Sequence, residues 1–178
     1  MTRGEAVPAK DPAVRPATIA DAHPIGALAA RAWRAAYDGL LAPDILTHLD
    51  AEEQAYEWAG YLSGLPTPDR VWVIDLAGAV CGFARTGPCP DADLPAGAGE
   101  VHGLYLDPDR IGTGLGRRLY GHAVCDLVER GHDPIAVWHF AENRRAARFY
   151  ERAGFALDGA RRPSGFGIPE VRRRRRPI

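Results

Sequence analysis

The segment VWHFAENRRAARFYERAGF, residues 137–155, predicts a buried strand that passes directly into a helix. Val137 to Phe140 continue an apolar run that starts at Ile135, which favours a strand. Asn143 then stands at the position of a helix N-cap, and Gly154 follows the last turn as a C-terminal stop. Working outward from this strand–helix pair gives the rest of the fold.

Upstream, EVHGLYLDPDRIGTGLGRRL, residues 100–119, predicts a strand, a glycine loop and the start of a helix that runs to about Arg130. Gly112, Gly114 and Gly116 alternate, so the backbone can approach a ligand closely with its N–H groups pointing inward. The helix N-terminus and nearby arginines such as Arg110 and Arg117 favour a pyrophosphate there. A Walker lysine and the acidic residue of a dinucleotide-binding unit are missing, and a plain glycine-rich connection is the alternative.

The remaining segments predict helices near the N-terminus, a strand hairpin that turns at Ala77-Gly78, and a final antiparallel pair. The order is helices, strands, helix, strand, helix, strands, without an internal repeat. We therefore expect an α+β domain with a mixed, mostly antiparallel central sheet of six to seven strands and helices on both faces. We expect residues 14–178 to form this single domain and residues 1–13 to form a flexible tail.

Composition limits the classes of function. The net charge of -1 argues against wholesale electrostatic binding to nucleic acid or to membranes. The three cysteines form no C-x-x-C pair, and no apolar run is long enough for a membrane span, so we expect a cytoplasmic protein. Lys10 is the only lysine among many arginines, which indicates a GC-rich bacterial genome.

Residues 137–155 closely resemble the most characteristic segment of the GNAT superfamily, the acyl-CoA-dependent N-acyltransferases. Residues 100–119 resemble the acetyl-CoA loop of that superfamily, and VRPATIADAHPIGALAARAWRAAY, residues 14–37, resembles its beginning. The resemblance implies acetyl-CoA as the co-substrate and a primary amine of a small molecule or peptide as the acceptor. It implies direct attack in a ternary complex, without a metal, a nucleic acid or a membrane partner, and leaves a homodimer open.

The resemblance also implies which residues hold acetyl-CoA. One departure is Ile111, since the superfamily commonly has Gln or Arg directly before the first loop glycine. Backbone amides make most phosphate contacts in such a loop, so we expect binding to survive. The implied contacts are Leu104, Tyr105, Leu106, Arg110, Ile111, Gly112, Thr113, Gly114, Leu115, Gly116, Arg117, Asn143 and Arg148.

Three side chains are the candidates for proton transfer. Tyr150 matches a tyrosine that lies near the CoA sulfur in the superfamily, where a phenol can protonate the departing thiolate. Glu100 stands where many members carry a glutamate, and strand alternation puts His102 on the same face, so the two can relay a proton. A merely solvated glutamate is the alternative, because many members use no dedicated base.

The resemblance implies an acceptor pocket at the first helices and last strands, with Trp33, Tyr37 and Trp72 as binding residues and with Tyr105 and the loop around Phe166 beside them. Asp91 and Asp93, in the loop before the strand that begins at Glu100, raise the hypothesis of a cationic amine as acceptor.

Two rival functions are open at this stage. The first is a non-catalytic acyl-CoA sensor or interaction module, which would need neither Tyr150 nor Glu100. The second is a nucleic-acid binder that uses the run from Arg172 to Arg176. Strand alternation would split that run between two faces, which disfavours the second rival. The histidines show no metal-ligand spacing, so we expect no metal.

Overall fold

The computed structural model describes residues 11–64 and 68–175. The predicted tail lies mostly outside these residues, and Ala13 already belongs to the first strand. The strands are β1 Ala13–Pro16, β2 Arg70–Leu76, β3 Ala79–Pro88, β4 Gly99–Leu106, β5 Ile135–Phe140, β6 Phe155–Pro163 and β7 Pro169–Arg175. The helices are α1 Ala22–Tyr37, α2 Pro43–Thr47, α3 Ala51–Ser63, α4 Leu115–Glu129 and α5 Arg144–Arg152.

Within the described residues the seven strands form one sheet in the order β1-β2-β3-β4-β5-β7-β6. β4 and β5 are parallel, and every other pair is antiparallel. α4 makes the crossover that a parallel pair requires. The predicted mixed, mostly antiparallel sheet is therefore confirmed.

Helices cover both faces of the sheet. On one face α1 packs on β2 and β3, where Ile25 and Leu28 meet Val73 and Phe83. On the other face α4 packs on the same strands, with Leu119 in the cluster. α4 and α5 lie on the same face of the sheet, since Tyr120 and Tyr150 share one buried cluster with β5. No helix in the described ranges combines the length and apolar character needed to cross a membrane.

Local sequence accounts for several element ends. Ala77 and Gly78 both have positive φ, 55° and 89°, as a two-residue type I′ hairpin turn requires. Asp50 caps α3 by accepting hydrogen bonds from the amides of Glu52 and Glu53. This capped start separates α3 from the short α2 that precedes it.

A β-bulge in β4 sets the geometry of the site. Arg85 pairs with Gly103 while Thr86 pairs with Val101, so His102 is an extra residue without a partner on β3. At this bulge the side chains that face α4 change from odd-numbered to even-numbered positions. Val101 faces α4 upstream of the bulge, and Leu104 and Leu106 also face α4 downstream of it.

Candidate active site

A cavity of about 700 Å³ lies where β4 and β5 separate. The two strands pair from Gly99–Ile135 to Val101–Val137 and no further, although both continue. Side chains from both faces of the sheet line the cavity. It is bordered by α1, the glycine loop, the first turn of α4, α5 and the β6–β7 connection.

The glycine loop forms one wall of this cavity. Gly112 and Gly114 have φ of 85° and 87°, a region that costs other residues energy, so glycine is favoured at both positions. A Cβ at Gly116 would fall 2.5 Å from Leu106 Cδ1, so glycine there allows α4 to pack closely on β4. The first-turn amides of α4 have no intrahelical acceptors, and a ligand anion can accept their hydrogen bonds.

The second half of β4 presents an open backbone edge to the cavity. Leu104, Tyr105 and Leu106 pair with β3 on one side and have no β5 partner on the other. All three residues line the cavity. Backbone N–H and C=O groups on such an edge can bind an extended ligand or a developing oxyanion.

Glu100 and His102 lie together, as the sequence predicted from strand alternation. His102 lines the cavity, and its Nδ1 is 3.1 Å from Glu100 Oε1. Glu100 is buried behind it and accepts a hydrogen bond from the Cys89 thiol, whose Sγ is 3.4 Å from Oε2. Burial raises the pKa of Cys89 to about 12, so this thiol keeps its proton and acts as a donor. The imidazole thus stands between the cavity and a buried carboxylate.

Tyr150 lies in the cavity wall beside His139 of β5, a residue that is not among the candidates from the sequence. Burial raises the pKa of Tyr150 above its ordinary value. The His139 ring stacks on it with centroids 5.9 Å apart. Arg173 Nε donates to His139 Nε2 at 2.9 Å, while His139 Nδ1 donates to the Phe140 carbonyl at 2.8 Å. These contacts hold His139 as the neutral imidazole.

His139 could have been found from the strand pattern. Phe140 contacts Tyr37 of α1 and Trp138 donates to Asp91 of the β3–β4 loop, so alternation turns His139 to the opposite face, toward Tyr150 of α5. Burial is the main cause that lowers the pKa of His139, and the charge of Arg173 lowers it further. Both effects favour the neutral ring next to Tyr150.

Asn143 caps α5 and also lies in the cavity wall, and its contact with CoA stays a prediction. Its Oδ1 accepts a hydrogen bond from the Ala146 amide at 3.0 Å, which caps α5. The residue also lines the cavity. Tyr120 on α4 is a cavity residue that sequence analysis did not select, and its buried hydroxyl has no partner within the described residues.

Four of the residues expected to bind acetyl-CoA stand outside the cavity wall. Arg110 and Arg148 are exposed, and the Thr113 hydroxyl donates to the Arg110 carbonyl at 2.6 Å. Leu115 is buried against the sheet below the loop. Ile111, Gly112, Gly114, Gly116 and Arg117 do line the cavity.

The position of Trp72 corrects one prediction for the acceptor pocket. Trp33 and Tyr37 line the cavity, whereas Trp72 does not. Its ring packs against His122 of α4, with centroids 4.4 Å apart, on the other face of the sheet from α1. Alternation along β2 turns Val71 and Val73 toward α1, so Trp72 must face α4.

The hypothesis that Asp91 and Asp93 attract a cationic acceptor also needs correction. Both carboxylates bind the buried Arg172, with distances of 2.8 Å from Nη1 to Asp91 Oδ2 and 2.8 Å from Nη1 to Asp93 Oδ1. Arg172 Nε donates to Asp158 at 2.7 Å. Arg173 points to the opposite face, toward Glu151. The arginine run that begins at Arg172 is therefore divided between the two faces of β7, which ends at Arg175. Arg176 lies outside the described residues.

One group of potential metal ligands occurs in the part of the chain that the structure describes. It consists of Cys89, Asp91 and Glu100, whose ligand atoms lie within 4.8 Å of one another. Asp91 already accepts hydrogen bonds from Arg172 and Trp138, and the Cys89 thiol is protonated. The Cys89 thiol also donates to Glu100, so all three groups are engaged within the protein, and the expectation of no metal stays a prediction.

Comparisons with known proteins agree with this geometry. Residues 30–155 match the acetyltransferase (GNAT) family. An uncharacterized N-acetyltransferase of Mycobacterium bovis is 29% identical over 145 residues, which cover 80% of this chain and 88% of that protein. The mycothiol acetyltransferase of Propionibacterium freudenreichii is 36% identical over 83 residues, 47% of this chain. The chain spans about a quarter of the length of that relative, 26%.

Solved structures show the same fold at low sequence identity. The PaiA N-acetyltransferase of Thermoplasma acidophilum, solved in complex with coenzyme A, superposes with a TM-score of 0.71 at 17% identity. The match covers 93% of this chain and 99% of that one. A GCN5-related N-acetyltransferase from Rhodopseudomonas palustris gives 0.72 at 20% identity, covering 97% of this chain and 99% of that one.

Proposed function

The chain belongs to the GNAT acetyltransferase family, and from this premise we propose that it transfers the acetyl group of acetyl-CoA to a primary amine. The acceptor is a small molecule or a peptide, and the amine attacks the thioester directly in a ternary complex. The observation that carries the proposal is the cavity at the β4–β5 separation, because it joins the glycine loop to a histidine and a tyrosine.

The donor end of the cavity suits the pyrophosphate and the pantetheine arm of acetyl-CoA. The loop amides of Gly112 to Gly116 and the side chain of Arg117 supply hydrogen bonds and positive charge. The open edge of β4 offers backbone groups to the amides of the arm, and an N–H there can stabilise the tetrahedral oxyanion. The thioester would then lie between β4 and Tyr150.

Proton transfer requires an acceptor for the amine proton and a donor for the thiolate. His102 faces the cavity with Glu100 behind it, so the imidazole can take the proton while the carboxylate stabilises the imidazolium. The raised pKa of Tyr150 keeps its phenol protonated. The same burial makes the departing CoA thiolate more basic, so the phenol can donate its proton to it.

Direct attack is favoured over a covalent acyl-enzyme by the position of the cysteines. Cys81, Cys89 and Cys125 are free in the described structure, and none lines the cavity. Unpaired cysteines are also typical of a reducing compartment, so we place the activity in the cytoplasm.

The proposal is tested by calorimetric titration of acetyl-CoA and CoA, followed by release of free thiol over a panel of amines. We expect saturable binding and amine-dependent release. Gly114→Ala should weaken acetyl-CoA binding about tenfold or more, because its φ of 87° strains the new residue within the loop. Gly78→Ala is the matched control, since Gly78 has φ of 89° in a hairpin turn outside the cavity.

Two outcomes would count against the proposal. Binding of acetyl-CoA without thiol release from any amine would favour the acyl-CoA sensor. If Gly114→Ala and Gly78→Ala lost acetyl-CoA binding equally, the loss would come from lower stability of the folded protein. The glycine loop would then have no special part in binding.

His102→Asn tests the proposed base. We expect kcat to fall about 100-fold, the size typical of a lost general base, with acetyl-CoA affinity within about twofold of the wild type. Glu100→Gln should lower kcat less, by about tenfold, because the imidazole remains in place and loses only the carboxylate that stabilises its cation. An unchanged kcat in His102→Asn would mean that the amine loses its proton without this side chain.

A further inference from the structure

Five aromatic rings form a continuous lining at the acceptor end of the cavity, and we call them the aromatic wall. They come from α1, β4, β5 and the β6–β7 connection. Centroid distances are 4.9 Å for Trp33–Tyr37, 5.0 Å for Tyr37–Phe140, 5.5 Å for Trp33–Phe166, 6.0 Å for Phe140–Phe166 and 6.4 Å for Trp33–Tyr105. All five residues line the cavity.

The polar groups of the aromatic wall are neutral. Burial raises the pKa of Tyr105, and the neighbouring Trp33 and Tyr37 offset this rise only in part. Burial also raises the pKa of Tyr37, so both phenols are neutral. The wall therefore presents mainly ring faces and edges to a ligand.

The charges around the cavity give no site for a second cation on the acceptor. Among the described residues Glu170 is the only carboxylate in the cavity wall, and Arg162 Nε donates to it at 2.6 Å. Asp91 and Asp93 are bound by Arg172. A diamine would bury its distal charge against aromatic rings without an unpaired carboxylate, which is unfavourable.

Phe166 is the ring best placed to act on the acceptor without disturbing the core. It lies at the rim in the β6–β7 connection, is 40% exposed, and meets Trp33 and Phe140 edge to face. Rings that contact at 66° and 90° leave an angled surface on which a further ring can pack.

From the aromatic wall and the paired carboxylates, we infer that the acceptor is an arylalkylamine, a primary amine joined to an aromatic ring by a short chain. This inference rests on the proposed acetyl transfer. The ring of the acceptor packs against Trp33 and Phe166, and its amine extends toward His102 and the thioester. Phe166 is then a specificity-determining residue of the acceptor site.

The test compares 2-phenylethylamine, propylamine and 1,4-diaminobutane at saturating acetyl-CoA, by thiol release. We expect kcat/KM for 2-phenylethylamine to exceed the other two values at least tenfold, the discrimination typical of a filled apolar pocket. Phe166→Ala should bring the ratio of 2-phenylethylamine to propylamine close to one. Tyr56→Ala removes an aromatic ring that is 83% exposed on α3, outside the cavity, and should leave the ratio unchanged.

A second readout separates this inference from the proposed function. Calorimetric titration of 2-phenylethylamine into the CoA-saturated protein measures acceptor binding without turnover. If Phe166→Ala binds 2-phenylethylamine at least tenfold more weakly than the wild type, the inference about the aromatic wall is supported. If no amine releases thiol in the same protein, only the proposed acetyl transfer fails. Thiol release with a preference for 1,4-diaminobutane overturns the arylalkylamine and leaves the transferase intact. Absent binding of 2-phenylethylamine, or an unchanged ratio in Phe166→Ala, also overturns it.

Discussion

Replacing Tyr150 by phenylalanine is expected to lower kcat about 100-fold and to leave the affinity for acetyl-CoA within about twofold. The phenylalanine ring keeps the packing on His139 and Tyr120, so only the proton donor is lost. Without it the thiolate must leave unprotonated from a buried site. Steady-state kinetics with a responsive amine, together with calorimetry of acetyl-CoA, measure the two quantities separately.

The control for this variant is Tyr56→Phe, which removes a phenol hydroxyl from an exposed residue of α3. It should match the wild type in kcat. An acceptor KM that rises in Tyr150→Phe while kcat stays constant would show that Tyr150 binds the acceptor and does not act as the acid.

Arg172→Ala is expected to destabilise the protein by about 3 kcal/mol, because it leaves the largely buried Asp91 without a cationic partner and the buried Asp158 with Arg174 alone. Arg172 is 3% exposed and binds Asp91, Asp93 and Asp158, so it joins the β3–β4 loop to β7 and β6. Thermal unfolding should show a midpoint lower by about 10 °C for a chain of this length. Urea unfolding gives the free energy directly.

Arg174→Ala is the matched control for Arg172. Its guanidinium also contacts Asp158, 2.8 Å from Nε to Oδ2, but its side chain is 43% exposed. A partly exposed ion pair contributes little, so the loss should be less than about 1 kcal/mol. Equal effects of the two variants would contradict the central position of Arg172.

The pH dependence of this effect has a defined sign. Burial alone would raise the pKa of Asp91, but hydrogen bonds from Arg172 and Trp138 outweigh it and hold the pKa below its ordinary value. The stabilisation is therefore complete above the ordinary carboxyl range, about pH 4, and is lost as pH falls through the lowered pKa. The difference in stability between wild type and Arg172→Ala should shrink below about pH 4.

Local patterns predicted those parts of the fold that depend on neighbours in sequence. The cap at Asn143, the glycine loop from Gly112 to Gly116 and the hairpin turn at Ala77-Gly78 each follow from residues a few positions apart. The pairing of Glu100 with His102 also follows from a short-range rule. The glycine loop and Asn143 line the donor end of the site, which is why the sequence indicated acetyl-CoA more clearly than the acceptor.

The parts that were missed depend on long-range contacts or on strand phase. The bond between Arg172 and Asp91 joins residues that are 81 positions apart, so the charge pattern of either segment alone suggested a free surface. Trp72 was assigned to the acceptor pocket from the resemblance to the superfamily, whereas the face it occupies depends on which side of β2 meets α1. The arginine run was divided as alternation predicts, but its buried partners could not be read from the sequence.

The extra residue at His102 shifts the alternation of side chains along β4. Glu100 and His102 form the proton relay, and beyond the bulge Leu104 and Leu106 pack against α4. Deleting His102 would make Val101 and Gly103 neighbours opposite Thr86 and Arg85, so β4 would pair regularly with β3. Leu104 and Leu106 would still face α4, and Tyr105 would still face α1. The proton relay therefore depends on one inserted residue, whereas the packing of β4 beneath α4 does not.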